Sequence, residues 1–186
     1  MSGDFTPLEF GREPAAVNGS APVAPGAEEQ VEESDWQVRG ASHRDIPAVV
    51  AGIAELLVEL GGKPAPSAAL EATARALIDD GDAGVLLVAE CEDQIVGVLG
   101  VSWQIAIRIP GRYGLIQELW VHPSWRGRTI GGDLLVALFK LARHRQVTRL
   151  EVGLPSERFP HLAATEAFYL NNGFTTIGTR MRRLLE

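Results

Sequence analysis

The sequence predicts an α/β fold of the mixed α+β type: a central, mostly antiparallel sheet with element order β-α-α-β-β-β-α-β-α-β and helices on both faces. Three observations carry that prediction. Successive β-rich runs between residues 85 and 121 are joined by short polar turns, which makes them antiparallel neighbours. Two segments with a helical apolar repeat precede these runs and two follow them. A strand, helix, strand succession after residue 115 requires a crossover, and this makes the sheet mixed.

Order is expected to begin at Trp36, because W-Q-V-R-G-A alternates like a short strand. Ser42 and Asp45, three residues apart, match a capping box, and Ile46, Val49, Val50, Ile53, Leu57 and Leu60 then share one helical face that stops at Gly61-Gly62. Ser67 is placed to cap a second helix, with Leu70, Ala74, Leu77 and Ile78 on its apolar face and Asp80-Gly81-Asp82 at its end. Residues 85–90 and 95–107 are β-rich runs around a hairpin turn, Cys91-Glu92-Asp93-Gln94, and a second turn, Pro110-Gly111-Arg112, leads to a strand over 115–121. There follow a four-turn helix over 130–145, a short strand over 149–154 and a helix over 163–171 stopped by Gly173. A terminal strand over 175–185 is bent by Gly178.

The chain has 186 residues, enough for one domain with a full core and a tail. Its net charge of -7 is gathered in the first 35 residues, where eight acids face the single base Arg12; the remainder carries sixteen bases and sixteen acids. That balance supplies no general field for nucleic acid or for an anionic membrane, so neither is expected as a partner. Residues 1–34, rich in Pro, Ala, Gly and Glu without periodicity, read as a disordered acidic leader, and 35–186 as the folded domain. With Cys91 the single cysteine, no intrachain disulfide and no cysteine-based zinc site forms. The sequence also has no signal-like segment and no run of about 18 apolar residues, and the expectation is a cytoplasmic protein.

The stretch that carries chemistry runs from Glu118 through Trp120-Val121-His122-Pro123-Ser124-Trp125 to Arg126-Gly127-Arg128-Thr129-Ile130-Gly131-Gly132. A strand ends there, a loop with two arginines follows, and a helix opens on small residues. Uncommitted amides at a helix start, with the positive end of the helix dipole, favour an anion, and glycine lets a phosphate approach the main chain. Neither G-x-x-x-x-G-K-[ST] nor G-x-G-x-x-G is present, which excludes the common nucleoside triphosphate and dinucleotide loops.

R-G-R-T-I-G-G after a strand resembles the acetyl-CoA signature Q/R-x-x-G-x-G/A of the GNAT superfamily of N-acetyltransferases, with Arg126 at its first position and Gly131 at its last. Thr129 stands where that family usually has its first glycine; a negative φ there would preserve the helical entry. The resemblance extends over residues 36–185, and Phe168, Tyr169, Gly173 and Phe174 match a late F-Y-x-x-x-G-F, although Leu162 stands where the family often has an asparagine.

The resemblance implies a transferase, an acyltransferase using acetyl-CoA, in which a primary amine of a small molecule, amino-acid derivative or peptide attacks directly in a ternary complex; no H-x-x-x-H or other ligand spacing points to a metal, and none is expected. It implies Glu118 as the group that receives the amine's proton, usually through water, and Tyr169 as the donor to the departing thiolate. It also implies cofactor contacts from Leu119, Trp120, Val121, Arg126, Gly127, Arg128, Thr129, Ile130, Gly131 and Gly132, with an oxyanion donor near Val121 and splayed strands leaving main-chain groups of 119–121 and 150–152 exposed. As residues alone, Glu118 is also a solvated strand carboxylate, Tyr169 an aromatic packed beside Phe168, and the arginines loop charge. His122 before Pro123 reads as a turn former, and His161 as a candidate substrate contact. Substrate choice would fall to residues 56–67 and 103–113, including Trp103, Arg108, Arg112 and Tyr113. The alternatives are a silent acetyl-CoA-binding sensor and a transferase for a longer acyl group, and pairing into a homodimer through a terminal strand edge stays open.

Overall fold

The β-rich middle of the chain sets the architecture. The computed structural model describes residues 35–63 and 65–178, all within the unit Ser34–Glu186. β2 (Gly84–Cys91) turns into β3 (Gln94–Ala106) through Glu92 and Asp93, whose φ values are 45° and 63°. Two consecutive left-handed residues give a turn whose twist matches that of the strands, and Cys91 accordingly pairs with Gln94. β4 (Ile109–Val121) returns antiparallel to β3, and β1 (Gln37–Gly40) adds antiparallel to β2. β5 (Leu150–Val152) lies parallel to β4, so the sheet is the mixed, mostly antiparallel one expected, in the order β1-β2-β3-β4-β5.

The turn between β3 and β4 is displaced from its expected position. Ala106 pairs with Ile109, so Ile107 and Arg108 make the turn, and Pro110-Gly111 bulge from β4 before Arg112 meets Ile105. A proline lacks the ladder donor and Gly111 takes a φ of 89°, so this pair suits a bulge.

α1 (Ile46–Glu59) enters through a 3-10 turn, His43–Asp45, in which the Asp45 carboxylate accepts from the Ser42 N–H at 2.7 Å and its hydroxyl at 2.8 Å. α2 (Ser67–Asp79) is preceded by Pro66 as its cap residue; Ser67 is already helical and its hydroxyl bonds Glu71, so the expected cap is one residue late. α1 and α2 cover one face, with Ile46, Val49, Val50 and Ala74 against Leu86, Val88, Val98 and Trp120. Leu60, expected on that apolar face, lies past the helix end and is exposed.

α3 (Ile130–His144) covers the opposite face and fully buries Ile130, Leu134, Leu135 and Leu138, each worth about 2 kcal/mol on removal from water. Tyr169 of α4 (Leu162–Asn171) joins the same cluster. The expected terminal strand is not formed over residues 175–178, and 179–185 lie outside the described residues. Among the described residues no helix is long and apolar enough to cross a membrane.

Arg39 of β1 fastens the entry of α1 to the sheet. It donates to both Asp45 oxygens, at 2.7 and 2.8 Å, and to Glu90 of β2 at 2.7 Å. The guanidinium holds the Asp45 carboxyl well below the usual carboxylate range.

Candidate active site

The middle of β4 carries a second irregularity. Gly100 pairs with Glu118 but Val101 with Ile116, so Gln117 is the extra residue of a bulge. The bulge lets Ile116 point into the α3 cluster while Glu118, two residues on, shares the α1–α2 face with Trp120. The Glu118 carboxylate lies over Gly100, where any Cβ would collide with Oε2. It has no ion-pair or hydrogen-bond partner among the described residues, and half-burial raises its carboxyl to about 7. Gly100 was not legible as a site residue, because its importance depends on the register set by the bulge.

Past Ile116 no strand among the described residues lies beside the outer edge of β4, since β5 pairs only with Gly114–Ile116. Of the expected main-chain groups at 150–152, those of Glu151 are taken up by β4, and those of Leu150 and Val152 face away from it. The His122 N–H donates to Val96 O, so alternation turns the amide of Trp120 toward β3 and those of Leu119 and Val121 toward the open edge. Trp120 does not offer the contacts expected of it: its main chain faces β3, and its indole, 4% exposed, packs on Gly52 under α1.

After β4, His122 makes the turn, its Nδ1 accepting from the Ser124 N–H at 3.3 Å. Gly127 takes a φ of 78°, a left-handed position that a side chain would strain. Thr129 keeps a φ of -78°, so the residue in the glycine position preserves the helical entry. From Gly127 to Gly132 no amide has an acceptor among the described residues; the first to find one is Asp133, bonded to Thr129 O at 2.9 Å. Ile130 leaves only its amide available, its side chain being in the core, and the small Gly131 lets α3 close on the Phe168 ring, 3.2 Å from where a Cβ would sit. Nothing lies within 4 Å of the corresponding position at Gly132, so this end of the helix opens to solvent.

The arginines are held by protein groups. Arg126 donates through Nε to Val121 O at 2.9 Å and through Nη2 to Glu59 of α1 at 2.7 Å. Such an exposed pair contributes only about 0–1 kcal/mol, so a phosphate arriving at the loop competes for Arg126 at small cost. Arg128 stacks over Trp125, 4.4 Å from its ring centroid.

Tyr169 is 7% exposed and flanked by Phe168 and Phe174, with ring centroids 5.2 and 5.3 Å away. Burial pushes its phenol up to about 12. Tyr169 thus belongs to the α3 side of the sheet and Glu118 to the α1–α2 side. Trp103, expected at a substrate rim, is buried in the α3-side core beneath Arg145, while Arg112 pairs with Asp82 at 3.0 Å and Arg108 lies over Tyr113. His161 packs against Phe159 at the start of α4. No cluster of three metal-ligating side chains occurs among the described residues.

A family model described as an acetyltransferase (GNAT) domain matches residues 82–176. The fold agrees with that of a possible acetyltransferase from Clostridium difficile 630, with a TM-score of 0.67 and 18% identity over 81% of this chain and 99% of that one. It also agrees with a predicted acetyltransferase from Clostridium acetobutylicum solved with acetyl-CoA, at a TM-score of 0.65 and 19% identity over 80% of this chain and 96% of that one. An aminoglycoside N-acetyltransferase in complex with CoA gives a TM-score of 0.66 and 12% identity over 81% of this chain and 94% of that one. No curated protein matches the sequence. An open-edged mixed sheet, a helix start with vacant amides and the matched family model define one class: the chain belongs to the GNAT acetyltransferase family.

Proposed function

We propose that this protein transfers an acetyl group from acetyl-CoA to a primary amine of a small molecule, amino-acid derivative or peptide by direct attack. The observation that carries the reading is the run of six amides, Gly127 to Gly132, that have no acceptor among the described residues at the start of α3, next to the outer edge of β4. This suits a diphosphate: the amides are uncommitted among the described residues, the helix dipole is positive there, and Gly132 leaves the approach clear. CoA and acetyl-CoA in the structural neighbours support the same reading.

Acetyl-CoA supplies the acyl group as an activated thioester. Glu118 receives the proton that the amine must lose, through water, and a carboxyl near 7 is about half ionised at neutral pH and suited to that exchange. The outward N–H of Val121, or that of Leu119, donates to the oxygen on which charge develops; one such preorganised donor is worth about 3 kcal/mol. Tyr169, with its phenol near 12, keeps its proton at neutral pH and is the group assigned in this reading to protonate the leaving sulfur. Residues 35–186 make up the catalytic domain in this reading, the leader 1–34 is an appendage, and the location is the cytoplasm, with no part for nucleic acid or membrane.

The test is thiol release from acetyl-CoA with a panel of primary amines, paired with calorimetry of CoA binding. Binding with amine-dependent thiol release is expected. CoA binding without thiol release from any amine would instead make the protein a sensor, and no binding at all would remove the reading of the loop.

A further inference from the structure

If the reading of Glu118 holds, the acceptor must come to the face of the sheet on which Glu118 lies. α1 and α2 already cover that face at Leu86, Val88, Val98 and Trp120. The uncovered ground lies on the other side of Glu118, along Ser102 and Gln104 of β3 and the bulged Gln117 of β4. Gly100, Ser102 and Gln104 alternate onto this face, and Ser102 lies about 7 Å along the strand from Gly100, over which the Glu118 carboxylate sits.

Here the Ser102 hydroxyl accepts from Gln104 Nε2 at 2.9 Å and from Gln117 Nε2 at 2.8 Å. Both carboxamides therefore turn their N–H groups inward to the serine, and neither Oε1 has a donor among the described residues. The bulge that aims Glu118 at this face also delivers Gln117 to Ser102, so two oxygen acceptors from two strands, the Oε1 atoms of Gln104 and Gln117, are held around one patch by the serine that both amides share. We infer that Ser102, Gln104 and Gln117 form a specificity floor for the acceptor, selecting a small amine that carries hydroxyl or amino donors near its reacting nitrogen over a hydrocarbon amine of the same shape. An oriented acceptor that loses water without gaining a donor opposes binding, so an analogue lacking the donor is disfavoured.

The experiment measures thiol release with matched amines: glucosamine against cyclohexylamine, and 1,3-diamino-2-propanol against 2-methylbutylamine. The donor-bearing member of at least one pair is expected to have a kcat/KM higher by about tenfold or more. Gln104→Leu and Gln117→Leu, and Ser102→Ala, which releases both carboxamides, should bring that ratio toward one by raising KM for the donor-bearing amine. The hydrocarbon member's kcat/KM should rise, because no oriented acceptor is then left without a donor, and an unchanged affinity for CoA shows that the variants are folded. Equal use of both members by the parent protein, or equal loss for both members in the variants, overturns this inference and leaves the acetyltransfer reading standing. Thiol release from no amine overturns both.

Discussion

Glu118 sits over Gly100 with no cation beside it among the described residues, and removal from water raises its carboxyl to about 7. A base with that property predicts that kcat/KM climbs with pH through about 7 and then levels, and that Glu118→Gln abolishes the climb and lowers kcat about a hundredfold or more in the thiol-release assay. Stability carries the opposite sign. Between the ordinary glutamate range near 4.5 and about 7, the unfolded chain ionises while the folded one keeps the proton, so this residue's contribution falls as pH climbs through that window. Glu118→Gln should therefore raise the melting temperature at pH 7.5 relative to the parent protein and change it little at pH 4. Tyr169→Phe removes one oxygen from an otherwise apolar setting; kcat should drop by about a hundredfold while CoA affinity, read by calorimetry, stays unchanged. The two residues were legible in the sequence only through a family resemblance. Nothing in their spacing states that one is half-buried and unpaired and the other enclosed by two phenylalanines.

The loop from Gly127 to Gly132 and the bulge at Gln117 are the elements that organise the site. Local rules made the loop legible: a glycine with a φ of 78° and a threonine entering a helix at -78° are short-range properties of those residues. Gly127→Ala should cost about 1 kcal/mol of stability and weaken CoA binding severalfold, because the loop must twist away from the left-handed region and carry the amides with it; calorimetry and a melting curve report both effects. Whether Arg126 or Arg128 faces a phosphate was not legible, since their partners Glu59 and Trp125 are fixed by the docking of α1 and the turn after His122. The bulge was equally hidden. Its one-residue offset arises from pairing β4 with β3, and without it Ile116 and Glu118 would share a face. The same cause moved the β3–β4 turn to Ile107-Arg108: Pro110-Gly111 reads as a turn signal, yet pairing to β3 accommodates it as a bulge.

Across the molecule, two apolar clusters on opposite faces of one sheet hold the site between them, and one ionic network joins β1, β2 and the entry of α1. Asp45, 5% exposed, is the centre of that network. Its carboxyl is held below the ordinary range, so the stability it contributes is present above about pH 4 and lost as pH falls further. Asp45→Asn leaves Arg39 without its bidentate partner and should cost about 2–4 kcal/mol at pH 7 by denaturant unfolding, with a smaller difference from the parent protein near pH 2. The cores of the described residues are built from Trp36 onward, and removal of residues 1–34 is expected to leave melting temperature and thiol release intact.

By itself the sequence determined the order of the elements from β1 to α4, a hairpin turn within residues 91–94, the helical entry at Thr129 and the mixed sheet, because these follow from backbone preferences and apolar periodicity within a few residues of each other. Tertiary structure alone decided that Trp120, expected to contact the cofactor, and Trp103, expected at the substrate, are buried, that β5 pairs with only one end of β4, and that Glu118 lies over a glycine near Ser102. Those outcomes depend on strand register and on which face each helix covers. Both are set by contacts between residues far apart in the chain, and a local pattern holds no record of them.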